Sequence, residues 1–175
     1  MKKLIFCTIA LTLSGCQSTY VQSQSNAKES VNKFDGKKTL TTKMLPAWTK
    51  ASWMNGGVGF SGFASVDKPE YMVVEVTFIN SISNMEKLFL NIDGQTTEYF
   101  AMSKPTDISF GQATRIGMSK RGFLVPVADI KKFNNSQSVK FRVTTLSDGS
   151  REGELVRDGK LSQGATSLIN IANKL

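Results

Sequence analysis

From about position 34 the chain alternates apolar and polar side chains with a period of two, the repeat of a strand with one face in a core. Residues 71–79, YMVVEVTFI, are the strongest such segment, bounded by Lys68-Pro69 and Asn80-Ser81, with Met72, Val74, Val76 and Phe78 on the apolar face. Residues 37–43 read as a short polar strand. In the next alternating run Val58, Phe60, Ala64 and Val66 share one face, and Gly59, Ser61, Ser65 and Asp67 the other.

Segments 88–92 and 96–100 flank Asp93-Gly94, whose positive φ angles suit a tight type I′ hairpin. Segments 114–118 and 123–127 flank Ser119-Lys120-Arg121-Gly122 and predict a second hairpin. In 138–146, Val139, Phe141 and Val143 oppose Lys140, Arg142 and Thr144, and Asp148-Gly149 turns the chain into 151–156. One or two helical turns are expected over 128–133. After Arg157-Asp158-Gly159-Lys160 the period becomes helical, with Leu168, Ile171, Ala172 and Leu175 on one face and Thr166 or Ser167 as the cap. The pattern predicts a mostly β fold, an antiparallel sandwich or open barrel built of hairpins, with a short C-terminal helix. No internal repeat is evident.

The N-terminus follows another logic. Lys2 and Lys3 precede an apolar run from Leu4 to Leu13, long enough for a secretory signal and too short to span a bilayer as a helix. Leu13-Ser14-Gly15-Cys16 then resembles the lipobox of bacterial lipoproteins; the other reading is an ordinary secretory signal with a chance cysteine. The resemblance covers residues 1–17. It implies removal of residues 1–15, diacylglycerol on Cys16, and acylation of the new amino group, palmitate being the expected chain. In the enteric-type sorting rule an Asp after the cysteine retains the protein in the inner membrane. Gln17 departs from that and implies the outer membrane. Two or more acyl chains hold firmly, each buried methylene contributing about 0.8 kcal/mol. Residues 16–33 are polar and read as lipidated cysteine plus tether, with a single helix in 26–33 as the alternative. Such a tether reaches roughly 20–25 Å. Residues 34–175 form one β-rich domain.

The precursor carries 22 basic and 14 acidic residues, a net charge of +8. Loss of Lys2 and Lys3 leaves 20 against 14, or +6. No Lys/Arg run exceeds two residues, so the charge is either a moderately basic face for anionic lipid, lipopolysaccharide or nucleic acid, or ordinary solvated surface. Cys7 leaves with the signal and Cys16 carries lipid, so the domain must hold by its core without a disulfide. The chain contains no histidine, which removes the Ser-His-Asp triad, imidazole bases and the usual zinc sets.

Gly57-x-Gly59-x-x-Gly62 has the letters of a dinucleotide loop, but no buried strand precedes it and no helix follows it. These glycines are expected to serve architecture: left-handed backbone at Asn55-Gly56-Gly57, and close approach of a neighbour at Gly59 and Gly62, with Trp48, Trp53, Phe60 and Phe63 as covering side chains. Ser61 in GFSGF matches a nucleophile elbow only loosely, and without histidine it has no base. Asp93, Asp148 and Asp158 each precede glycine, so turn chemistry accounts for them. Glu75 either faces solvent or pairs with a buried cation.

Two candidate binding features remain. Trp48 and Trp53 lie in a polar stretch, as exposed anchors for glycan, peptide or membrane, or as plugs of one end of the core. Arg115, Lys120, Arg121, Lys140 and Arg142 come from hairpins that form one basic patch if they are neighbours, and scattered charge otherwise. The expected function is a non-enzymatic, lipid-anchored protein-binding or envelope-assembly component of the outer membrane. The alternative is a ligand-binding lipoprotein for lipopolysaccharide, phospholipid or peptidoglycan. No cofactor, metal, nucleotide or nucleic-acid partner is expected. Inhibition of a cationic host lysozyme fits poorly, because like charges slow encounter.

Overall fold

The computed structural model describes residues 24–110, 116–147 and 149–175. The signal, Cys16, Arg115 and Asp148 lie outside them. In chain order the strands are β1 (Lys28–Val31), β2 (Lys38–Thr41), β3 (Leu45–Pro46), β4 (Val58–Ser65), β5 (Tyr71–Ile79) and β6 (Met85–Ile92), then β7 (Gln95–Phe100), β8 (Asp107–Phe110), β9 (Gly117–Pro126), β10 (Ser138–Thr145), β11 (Ser150–Arg157) and β12 (Lys160–Leu161). The helices are α1 (Val127–Lys131) and α2 (Gln163–Ala172).

One sheet runs β1-β2-β4-β5-β9-β8, with β3 also beside β4; the other runs β12-β11-β10-β6-β7. Every pairing is antiparallel. Two short seams join the sheets. Trp48, just after β3, bridges Glu154 of β11, and Ala101, just after β7, bridges Phe123 of β9. The two sheets are thereby joined at both sides of a curled, half-barrel arrangement.

The alternation read in the sequence places the core correctly at most strands. Met72, Val74, Val76 and Phe78 of β5 face Leu88 and Leu90 of β6, and Val139, Phe141 and Val143 of β10, in one buried cluster. Phe60 of β4 meets Phe141 of β10 edge to face, with ring centroids 4.9 Å apart, linking the two sheets at mid-core. Such a pair adds about 0.5–1.5 kcal/mol beyond its area burial. The β6–β7 hairpin turns on Asp93 (φ 47°) and Gly94 (φ 96°), as its dipeptide requires. The Asp93 carboxylate also accepts from the amides of Gln137 and Ser138, tying this turn to the start of β10.

The second expected hairpin does not exist. Ser119-Lys120-Arg121-Gly122 is the middle of β9, paired continuously with β5 from Ile79↔Met118 to Tyr71↔Pro126. Loops at the sheet edge reach its inward side chains and bond most of their polar atoms. Ser119 Oγ donates to the Ser81 carbonyl and accepts from the Ser83 amide. Arg121 donates to the Met102 carbonyl and to Thr106 Oγ1. Strand β8, which alternation did not reveal, is an exposed edge beside β9.

The fold also begins earlier than composition suggests. Residues 28–31 are a strand rather than tether or helix, held to β2 by a Ser30–Thr39 hydroxyl bond and a Glu29–Lys38 ion pair. Just before it, Ser25 is buried against α2, where Asn170 Nδ2 donates to its carbonyl. Ser162, not Thr166 or Ser167, caps α2 by accepting from the Ala165 amide. The helix is wedged against β4, buried at Leu168, Ile169 and Ile171.

The glycine motif is resolved in the same place. A Cβ on Gly62 would stand 2.7 Å from Ile171 of α2, and one on Gly59 would stand 2.9 Å from the Trp53 ring on the opposite face. Both glycines let a neighbour touch bare backbone; of the preceding Asn55-Gly56-Gly57, only Gly56 is left-handed (φ 106°). Gly153 of β11 is tighter still: a Cβ there would lie 2.3 Å from the Trp48 carbonyl and 2.7 Å from the Phe141 ring. We therefore expect Gly153→Ala to destabilise the domain by about 2 kcal/mol or more, lowering the melting temperature by roughly 5 °C. A calorimetric transition unchanged from wild type would contradict this packing.

Candidate functional site

The seam at Trp48 borders an open concavity. The backbone of Trp48 exchanges two hydrogen bonds with Glu154, N–H to carbonyl at 3.1 Å and the reverse at 2.8 Å. This raises residues 48–51 as a wall above the outer face of β11, β10 and β6. Between wall and sheet lies an open groove of about 1000 Å³.

Register sets the groove floor. Asn91, Lys140 and Glu154 form one cross-strand row on β6, β10 and β11, and Phe89, Arg142 and Glu152 form the next. Arg142 Nε donates to Glu152 Oε1 at 2.5 Å, and Arg157 Nε donates to Glu154 Oε2. Arg157 also lies over the Trp48 ring, 5.2 Å from its centroid. Arg151 turns the other way: it donates to the Gly56 carbonyl at 2.8 Å and stacks 4.8 Å over the buried Phe78 ring. Lys50 and Lys140, which also line the groove, are exposed and have no ion-pair partner among the described residues. The groove therefore offers half-buried Trp48 and Phe89, two ion pairs that hold its polar floor, and two uncommitted ammonium groups.

The expected basic patch is divided by this arrangement. Only Lys140 and Arg142 share the groove. Lys120 lies on the outer face of the other sheet, 3.5 Å from Glu75, which also accepts from Ser61 Oγ. Glu75 thus pairs with a cation, but a half-exposed one. Arg121 faces inward at the far seam, where its Nε is buried without a partner. Arg115 lies outside the described residues.

Neither tryptophan is a core plug. Trp48 is half-buried on the groove wall, on the outer face because it pairs opposite Glu154. Trp53, in a 3-10 turn, is half-buried over Gly59 on the outer face of β4. Sequence reasoning missed Lys50, Phe89, Asn91, Arg151 and Arg157. A signal for part of the set was present, because a hairpin turning near 147 aligns Arg142 with Glu152.

A second surface lies on the opposite sheet. Phe63 of β4, Val73 of β5 and Leu124 of β9 are direct cross-strand neighbours on its outer face. Tyr71 stands two residues along β5, and Met102 Sδ comes 3.4 Å from where a Cβ on Gly122 would be. Phe63, Leu124 and Tyr71 are 40%, 49% and 50% exposed. They make a contiguous apolar band of the kind that marks docking surfaces. Comparison with protein-family models, curated proteins and solved structures found no match.

The most perturbed titratable pair lies away from both surfaces. Tyr99 of β7 donates to Asp129 Oδ2 of α1 at 2.7 Å, and Lys132 Nζ lies 2.7 Å from Oδ1. Burial, with the adjacent carboxylate, pushes the Tyr99 phenol far above its ordinary range. Burial also acts to raise Asp129, but the bonds from Lys132 and Tyr99 outweigh it and hold the carboxyl below the usual range. A depressed folded-state value means stability present above the unfolded value and lost as pH falls through the folded one. Asp129→Asn should therefore cost about 1–2 kcal/mol near pH 7, with the gap to wild type closing as the solution is acidified below pH ~4. Denaturant titrations of both proteins from pH 7 to pH ~2.5 check this; a gap independent of pH would contradict the assignment.

Proposed function

We propose that this chain is a lipid-anchored component of a bacterial outer membrane whose β domain is a non-enzymatic docking module for a protein of the envelope. The apolar band at Phe63, Val73, Leu124 and Tyr71 carries this reading. Three apolar side chains in one cross-strand row, with Tyr71 two residues along β5, cost solubility on an outer sheet face, and burying them against a partner recovers about 25 cal/mol per Å² of apolar area. The Glu75–Lys120 pair beside the band supplies a polar margin, the usual arrangement of an interface with an apolar centre and a wet rim. Attachment rests on the sequence ending at Leu13-Ser14-Gly15-Cys16. Held to a surface by acyl chains, the domain searches for its partner in two dimensions, so a modest apolar contact suffices.

A second reading, ligand binding, is favoured by one observation. The two free lysines, Lys50 and Lys140, share a groove with Trp48 on the face opposite the band. The two readings use different sheets and are separable by mutation.

Both parts of the main proposal have a direct test. Radiolabelled palmitate is expected to label the wild type in growing cells, and Cys16→Ala to abolish both labelling and recovery with the outer membrane. A photo-crosslinking residue at Leu124 is expected to give one discrete higher-mass adduct in those cells, and one at Asn134 none. Labelling that persists in Cys16→Ala would overturn the anchor; equal adducts at both positions, or none at Leu124, would overturn the docking face.

A further inference from the structure

We infer that the groove beneath Trp48 binds an acidic oligosaccharide, a chain of sugars carrying carboxylates; this deepens the ligand-binding reading of that groove and rests on it. Three features of the site select that chemistry. The first is the state of its charges. Glu152 and Glu154 are committed to Arg142 and Arg157, and Arg151 is committed to the Gly56 carbonyl. Lys140 stands opposite Glu154 in register, yet Arg157 has taken that carboxylate. The charge left to meet a ligand is that of Lys50 and Lys140, two separate single positive charges. They match single carboxylates spaced along a chain better than doubly charged phosphate esters, and ammonium groups act as point charges without the fork that selects phosphate.

The second feature is the aromatic wall. Arg157 over the Trp48 ring fixes the indole in orientation, so its remaining surface is ordered before a ligand arrives. Phe89 lies half-buried on the floor. Flat apolar faces beside polar side chains such as Asn91 and Thr96 suit a sugar ring, which presents C–H groups on its face and hydroxyls around its edge. The two ion pairs add donors and acceptors that are already positioned, which lowers the ordering cost of binding.

The third feature disfavours the obvious competitor. An extended acidic peptide usually binds a sheet by adding a strand to an open edge. The central floor strands β6 and β10 are each hydrogen-bonded on both sides, and the third floor strand, β11, is met on its far side by Trp48 at Glu154 and by β12 at Val156 and Arg157. A peptide lying across them finds no backbone partners, and its own amides and carbonyls would lose water without replacement. Recognition in this groove is therefore a matter of side chains, which a saccharide satisfies through its hydroxyls and carboxylates.

The test uses the full-length processed protein in neutral detergent micelles. The chain has two tryptophans, so Trp53→Phe leaves Trp48 as the only indole reporter. Oligogalacturonate is titrated against that emission, with maltoheptaose, phosphorylated dextrin, polyglutamate and phosphatidylglycerol vesicles as comparison probes. Oligogalacturonate should shift Trp48 emission and bind about tenfold or more tighter than each of the others. The Lys50→Gln/Lys140→Gln protein, altered only at exposed side chains, should keep its far-ultraviolet spectrum and lose about tenfold or more in affinity. Half-molar salt should weaken the wild type similarly.

Failure to bind oligogalacturonate overturns the inference, as does binding that the double variant leaves unchanged. Equal or tighter binding of polyglutamate or phosphorylated dextrin also overturns it, by showing that charge alone, or phosphate, is what the groove selects. Vesicles binding best, through the same two lysines, would preserve a ligand-binding groove while removing the sugar. No binding of any probe would remove both readings.

Discussion

The fold and its groove both depend on one short contact, the pair of backbone hydrogen bonds between Trp48 and Glu154. The two sheets of this domain meet along two seams of one bridge each, and no cysteine occurs after Cys16 to reinforce either. A hydrogen bond of this kind contributes only about 0.5–1.5 kcal/mol net. The seam is therefore held mainly by what lies beneath it, Gly153 packed without a side chain on Phe141, and Phe141 packed on Phe60 across the core. The bare backbone at Gly153 lets the Trp48 carbonyl approach β11, and pairing opposite Glu154 puts the Trp48 side chain on the outer face.

The opposite seam solves the closure differently. There Ala101 bridges Phe123, and the neighbouring polar groups of β9 are met by loops: Arg121 by the Met102 carbonyl and Thr106, Ser119 by Ser81 and Ser83. Partners reach all of these groups except Arg121 Nε, which is buried without one among the described residues. The terminal helix α2 fills the remaining gap against β4, where Gly62 lets Ile171 approach, and it also receives the segment around Ser25. Core, seams and helix leave two outer sheet faces free for other work. One carries the apolar band, the other the groove.

Much of this was legible in the sequence wherever the local signals agreed. β5 is read to the residue, because alternation, β-branching and flanking turn residues agree. The Asp93-Gly94 hairpin follows from backbone chemistry that few other dipeptides satisfy. Reading failed where tertiary partners replaced a local rule. Ser119-Lys120-Arg121-Gly122 has the composition of a turn and is a strand, because loops distant in sequence bond Ser119 and the Arg121 terminal nitrogens on its inward side. Residues 28–31 are too polar to suggest burial and form a strand by pairing with β2. Lys140 and Arg142 were visible as candidates, but their separation from Lys120 and Arg121 depends on which sheet each hairpin joins, and hydropathy carries no such information. The groove wall was hidden for a related reason: nothing local marks Trp48 as the partner of a residue more than a hundred positions later.

Amide hydrogen exchange at that partner tests the account most directly. If the Trp48–Glu154 seam opens only with the whole fold, the Glu154 amide exchanges only on global unfolding, with the same opening free energy as amides at the centre of β5. Exchange of Glu154 by local opening, several kcal/mol easier than at Val74 or Val76, would show a seam that opens independently of the barrel and would contradict a preformed groove.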